Sequence, residues 1–155
     1  MAVTIEMELE RVLEVNAPFD KVFDLLSDVE KSGAHFPRVE KLTSLGDGVF
    51  RWESEKVGVD KYQLQSVYAC KYTNNRKEGW VKWTPVAGVG NGQVEGDWKI
   101  EALGKDRTRA KLRTKAAAEV PIPKLAKMLV APFVKREIAS ATDQYLANLK
   151  KALSA

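Results

Sequence analysis

From Pro121 to the end of the chain the apolar residues recur at helical spacing, whereas before it they recur mostly every second residue. Leu125, Leu129, Phe133, Ile138, Tyr145, Leu146, Leu149 and Leu153 form one stripe, which predicts a helix from about residue 123 to 153. Pro132 lies inside it and predicts a kink or a split there. Strands with one apolar face need a cover, and this stripe is the only large one available. A curved sheet wrapped around one helix leaves a space between the two.

The strands are read from alternation and from turn residues. Residues 3 to 15 place Val3, Ile5, Met7, Leu9, Leu13 and Val15 on one side, against Glu6, Glu8, Glu10, Val12 and Glu14 on the other. After Asn16-Ala17-Pro18 the spacing turns helical through Phe19, Val22, Phe23, Leu26 and Val29, with Asp20 favouring the helix start. One or two short helices are expected before Gly33. Six further strands follow, near 38 to 45, 49 to 57, 60 to 72, 77 to 85, 93 to 102 and 106 to 119. They are separated by turn chemistry at Gly46-Asp47-Gly48, Gly58 to Asp60, Thr73-Asn74-Asn75, Gly88 to Gly92 and Gly104-Lys105-Asp106.

At 155 residues, 45% hydrophobic and 30% charged, the chain fits a single domain spanning 1–155 that buries one core. The opening MAVTIEMELERVLEV alternates and carries acids, unlike a signal peptide. No apolar run approaches the roughly 18 residues of a membrane span. Cys70, the single cysteine, excludes an internal disulfide, and a cytoplasmic location is expected. The net charge of +4 is small and mixed in sign along most of the chain, which gives little reason to expect a polyanionic partner.

Four segments together resemble the START-like (SRPBCC) superfamily, in its polyketide cyclase/dehydrase and lipid-transport branch. They are VNAPFDKVFDLLSDVEK at 15–31, FPRVEKL at 36–42, VEGDWKIEALGKDRTRAKLRTK at 94–115 and the closing helix to Lys151. The resemblance implies an α+β helix-grip fold: a seven-stranded curved antiparallel sheet around a long C-terminal helix, with one or two short helices after strand 1. It also implies an internal pocket for lipids, sterols, polyketides, quinones or plant-hormone-like ligands. It does not imply one activity, because function resides in the site rather than in the fold.

Several chemistries find no support in the residues. His35 and Cys70, the only histidine and cysteine, make no metal-ligand spacing, so no metal is expected. Nothing brings the two together as a nucleophile pair, and Cys70 reads as a core or pocket-wall residue. No GxSxG elbow is present. Gly88-Val89-Gly90-Asn91-Gly92 matches a phosphate loop in composition only; a flexible hairpin is expected, which in the fold the resemblance implies would border the cavity mouth, and no cofactor is expected. Arg107, Arg109, Lys111, Arg113 and Lys115 share one face of the last strand. In the topology the resemblance implies, that strand lies beside the first, so Glu6, Glu8 and Glu10 should neutralise Arg109, Lys111 and Arg113 on the solvent side. No aromatic residue interleaves with this stripe, which argues against nucleic acid.

The aromatic residues point to a ligand. Trp52, Tyr62, Tyr68, Tyr72, Trp80, Trp83 and Trp98 all fall in strands, and their indole N–H and phenol O–H groups suit a partly polar pocket lining. Tyr62, Leu64, Ser66 and Tyr68 are placed on one face of the fourth strand, and Val94, Gly96, Trp98 and Ile100 on one face of the sixth. Gly96 among bulky neighbours should leave room. The phase of Trp80 and Trp83 stays open. The expected ligand-binding set is Arg11, Trp52, Tyr62, Leu64, Tyr68, Trp98, Leu112, Leu129 and Phe133, with no catalytic residue assigned. Arg11 is the one charge in the inward register of strand 1, so it must meet a carboxylate, reach solvent or contact a ligand, and a β-bulge turning it outward is favoured.

The expected function is binding or transport of a small hydrophobic ligand (lipid, fatty acid, quinone or polyketide-like) in a cavity between sheet and C-terminal helix. A polyketide aromatase/cyclase and a coenzyme-Q-associated lipid chaperone are the alternatives. The apolar segment from Ile122 to Val134 reads as the start of the covering helix or as a gate, with Lys124 and Lys127 available for transient membrane contact.

Overall fold

The computed structural model describes residues 3–59 and 61–154. Element order is β1 (Val3–Val15), α1 (Phe19–Ser27), α2 (Val29–Gly33), β2 (Val39–Gly46), β3 (Val49–Ser54), β4 (Val57–Val59), β5 (Tyr62–Leu64), β6 (Val67–Asn75), β7 (Trp80–Pro85), β8 (Gly92–Gly104), β9 (Arg107–Val120) and α3 (Lys124–Leu153). Among the described residues seven strands form one antiparallel sheet in the order β1-β9-β8-β7-β6-β3-β2, and β4 pairs with β5 alone. The sheet curves around α3 in the expected helix-grip arrangement. α1 and α2 follow β1, and the Asp28 side chain caps α2 by accepting from the Lys31 amide at 3.0 Å.

The sheet has an apolar concave face and a charged convex one. Leu13, Trp98, Ile100, Ala110 and Leu112 pack with Val22, Phe23 and Leu26 of α1 and with Tyr145, Leu146 and Leu149 of α3. A second cluster joins Val3, Ile5, Leu64, Val120 and Ile122 to Val130 and Ala131 at the start of α3. α3 runs unbroken through Pro132, which is exposed. The proline ring supplies no N–H to the Met128 carbonyl, and on the solvent side water can take that place.

Several strand expectations need correction. The strand expected over 49 to 57 ends at Ser54, and Val57–Val59, which includes the Gly58 expected in a turn, forms β4 of the separate hairpin. The segment expected as one strand over 60 to 72 is divided: β5 ends at Leu64 and β6 begins at Val67. Between them side chains replace the ladder, since Ser54 Oγ accepts from the Ser66 amide and Asn91 Oδ1 from the Val67 amide, both at 2.9 Å. Asn91 also donates to the carbonyls of Gln65 and Glu119 at 3.0 and 2.9 Å. The glycine-rich loop is therefore a stitch between β6 and β9 rather than a loose hairpin. Gly90 sits there at φ 65° with Val67 backbone against it, so a side chain has no space. Asp60, part of the expected turn and strand, lies outside the described residues.

The charge ladder is also displaced. β1 does pair with β9, but the register sets Glu8 opposite Lys115, Glu10 opposite Arg113, Val12 opposite Lys111 and Glu14 opposite Arg109. Glu14 takes ion pairs from Arg107 at 2.9 Å and Arg109 at 3.4 Å, which hold its carboxyl below the usual range. Arg113 turns instead to Asp97 of β8 at 3.5 Å, and Arg109 also to Glu101 at 3.2 Å. The inward residues fix this register, with Leu9 opposite Thr114 and Leu13 opposite Ala110, so the outer charges pair as that alignment allows.

Candidate functional site

Two adjacent hollows lie between the sheet and α3. The outer chamber, about 240 Å³, is walled by Ile5, Met7 and Leu9 of β1, by Ala116, Ala117 and Ala118 of β9, and by Phe133, Val134, Ile138 and Ala141 of α3. Alanines on β9 and Gly92 on β8 keep that wall low. The inner chamber, about 90 Å³, is enclosed by Phe36, Trp52, Tyr68, Tyr72, Trp83, Trp98 and Tyr145, with Ser32 and Gly33 of α2. Phe36, Tyr68, Val94, Thr114 and Thr142 line both, so the two are neighbours that share a wall.

Local periodicity aims these side chains inward. Tyr68, Cys70 and Tyr72 alternate along β6, Val81 and Trp83 along β7, and Val94, Trp98 and Ile100 along β8. Trp80, the other open phase, faces outward, with its indole donating to Glu78 and Lys82 over its ring at 4.6 Å. The rings form a layered stack: Phe36 lies flat on Tyr145 at 3.9 Å, edge-on to Trp52 at 6.0 Å, and Trp52 stacks on Tyr68 at 6.1 Å.

The polar side-chain atoms of the inner chamber are hydroxyls and indole N–H groups. Burial pushes the Tyr145 phenol up to about 12, although hydrogen bonds with Ser32 and Trp98 offset part of that rise. Tyr68 and Tyr72 are raised by the same loss of hydration. The Trp52 indole donates to the Tyr72 hydroxyl at 3.0 Å, and the Ser32 and Tyr145 hydroxyls share a hydrogen bond. Among the described residues no such bond engages the Tyr68 hydroxyl, which faces the space where both chambers meet. It can donate to a ligand oxygen. Cys70 is fully buried, donates to the Val94 carbonyl at 3.2 Å, and has its thiol pushed up to about 12, as a core residue outside the lining of both chambers rather than a thiolate nucleophile. Among the described residues no group of three or more His, Cys, Asp or Glu is placed to hold a metal ion.

The charged side chains of the outer chamber stand in its lining at Arg38, Glu55 and Glu137. Arg38, held at φ 63° just before β2, forms an ion pair with Glu137 of α3. That pair spans from the β2 side to the helix.

Of the expected ligand set, the fold gathers Trp52, Tyr68, Trp98 and Leu112 at the inner chamber and Leu64, Tyr68 and Phe133 at the outer one. Three residues are placed elsewhere. Leu129 is 58% exposed on the far side of α3, because the inward face runs through Val130, Phe133 and Val134 instead. Tyr62, on the separate β4-β5 hairpin, packs on the second core cluster. Arg11 does face inward, without the favoured bulge, since the β1-β9 register is continuous from Val3 to Val15. Its guanidinium reaches Asp143 on α3 at 2.7 Å. Gly96 also differs from expectation: the Trp83 indole fills the space beside it, so no room remains there.

Tyr72 and Trp83, grouped with the aromatics suited to a pocket lining but not named in the ligand set, line the inner chamber, and Ser32, Phe36, Thr142 and Tyr145 are among the lining residues not expected there. Tyr145 was legible as part of the helical stripe; Ser32 and Phe36 carried no periodic signal, being on a one-turn helix and the loop after it.

The sequence matches the family model described as polyketide cyclase / dehydrase and lipid transport over residues 6–154. No curated protein is significantly similar in sequence. Solved structures share the fold. A START superfamily protein from Mycobacterium smegmatis superposes with a TM-score of 0.66 at 16% identity, covering 94% of this chain and 96% of that one. The Zhui aromatase/cyclase from Streptomyces sp. R1128 gives 0.62 at 17% identity, covering 96% and 91%. A norcoclaurine synthase point mutant from Thalictrum flavum, in complex with a transition-state analogue, gives 0.60 at 19% identity, covering 97% of each chain.

Proposed function

The chain belongs to the polyketide cyclase/dehydrase and lipid transport family, and we propose that it binds and carries a small hydrophobic molecule in the two-chambered cavity. The observation that carries this reading is the division of the cavity into a mainly aliphatic outer part, with Arg38, Glu55 and Glu137 in its lining, and an aromatic inner part with hydroxyls. Such a division suits a ligand with an aliphatic body and a flat, oxygen-bearing end: a quinone, a polyketide-like compound or a fatty acid. The combined space lies near the lower end of the size of small-molecule sites, on the order of 300 Å³. A flat end would lie between Tyr68 and Phe36, where the Tyr68 hydroxyl donates to its oxygen while the body fills the space against Phe133 and Ile138.

A cyclase reading has one observation in its favour. Tyr68, as a neutral donor, would polarise a substrate carbonyl and ease enolisation. Enolisation also needs a group to take the carbon-bound proton, and the titratable side chains lining the inner chamber are tyrosines whose phenols burial keeps protonated. A carrier needs no such group. Native mass spectrometry of the purified chain tests the proposal: a co-purifying apolar compound, lost from Tyr68→Phe or from an Ala141→Trp variant that fills the outer chamber, is the expected result. Turnover of a poly-β-keto substrate would establish the cyclase instead.

A further inference from the structure

The first turns of α3 leave their outer face uncovered. Leu125, Met128 and Leu129 are 87%, 82% and 58% exposed, at spacings of three and four residues that set them on one side. The other side of the same turns is packed, with Val130 and Ala131 in the core cluster around Ile5, Leu64 and Ile122. This short stretch is thus apolar on both sides and only one side has a protein partner. A helix this apolar outside its packed face marks a contact surface.

Charge tells what the partner is. From Val120 to Arg136 the chain has no acidic residue and four basic ones, Lys124, Lys127, Lys135 and Arg136. All four are exposed, and none makes an ion pair among the described residues. We infer that this face docks on an anionic lipid bilayer, with Leu125, Met128 and Leu129 entering the headgroup boundary and Lys124, Lys135 and Arg136, set at helical spacing from Met128 and Leu129, meeting lipid phosphates. A second copy suits the face less well. A twofold contact centred here would bring Lys124 and Lys135 against their own counterparts, and of the acids that flank the segment Glu137 is held by Arg38 and Glu119 belongs to β9 rather than to the helix.

Docking by this face would set the cavity beside the bilayer. Phe133 and Val134, one turn further along α3, line the outer chamber. The docking surface rests on the exposed residues alone and does not depend on what the cavity holds.

The test uses the full chain and sedimentation with vesicles of two parts phosphatidylcholine to one part phosphatidylglycerol at physiological salt. The parent should sediment with them and bind pure phosphatidylcholine vesicles at least about tenfold more weakly. Leu125→Gln with Met128→Gln should reduce binding to the mixed vesicles at least about tenfold. Lys124→Gln with Lys135→Gln should reduce it roughly fivefold per lysine and leave binding to pure phosphatidylcholine unchanged. Unaltered circular dichroism would show that these surface variants fold. A parent that ignores the mixed vesicles, or a Leu125→Gln/Met128→Gln variant that binds them as well as the parent, overturns the inference. So does a parent dimer in sedimentation velocity that the same two substitutions dissolve, since the face would then belong to a second copy.

Discussion

The Nε of Arg11 donates to a carboxylate oxygen of Asp143 across 2.7 Å and so ties the inner face of β1 to α3. A second guanidinium nitrogen, Nη1, donates to the Glu10 carbonyl at 2.9 Å. The one charge in the inward register of β1 is therefore met by the helix the sheet grips.

Arg11→Met should consequently leave the affinity for acidic and neutral apolar probes alike. Both partners are partly solvated, so the loss of stability should be a few tenths of a kcal/mol up to about 1. Fluorescent fatty-acid titration and urea unfolding check the two halves. A selective loss of acidic probes would return Arg11 to the ligand site.

Gly96→Ala should destabilise the fold by about 1–3 kcal/mol. Its Cβ would stand 2.7 Å from Cζ2 of Trp83 and would also press on the Arg113 carbonyl of the neighbouring strand. Pairing the change with Trp83→Phe should recover part of the loss by freeing the indole's space, which thermal unfolding of the single and double variants would read.

Alkaline pH should weaken the fold through Cys70. An unfolded thiol releases its proton near 9.0, whereas the buried Cys70 keeps it to about 12. The folded-state value is the raised one, so its contribution is complete below 9 and is lost progressively as pH rises towards 12. The urea midpoint should hold steady to about pH 9 and then fall. In Cys70→Ala the fall should begin nearer 10, where unfolded tyrosines ionise while folded Tyr145 stays protonated to about 12.

Breaking the Arg38–Glu137 pair should open the outer chamber. Glu137→Gln removes the charge that joins the β2 side to α3, so both association and dissociation of an apolar probe should quicken by severalfold with little change in Kd. Stopped-flow fluorescence measures both rates. Unchanged rates would mean that the ligand path does not cross this pair.

The strand-to-helix change at Pro121, the alternation of residues 3 to 15 and the turn residues between strands were enough to name the seven strands of the main sheet in order and the cover helix, but not the β4–β5 hairpin. Alternation also put Trp98 and Leu112 on the inner face, because a strand's period is fixed by its backbone. The register of β1 on β9, the break between Leu64 and Val67, and the outward turn of Leu129 lay beyond it. Asn91 lies far along the chain from Gln65 and Val67, and only the folded sheet brings its side chain to their backbone. The apolar residues of a helix tell its periodicity, but which of several apolar sides meets the sheet is settled by packing. Leu129 and Val130 are adjacent in sequence and equally apolar, and the closure of α3 over Ile5 and Leu64 alone buries one and leaves the other to solvent.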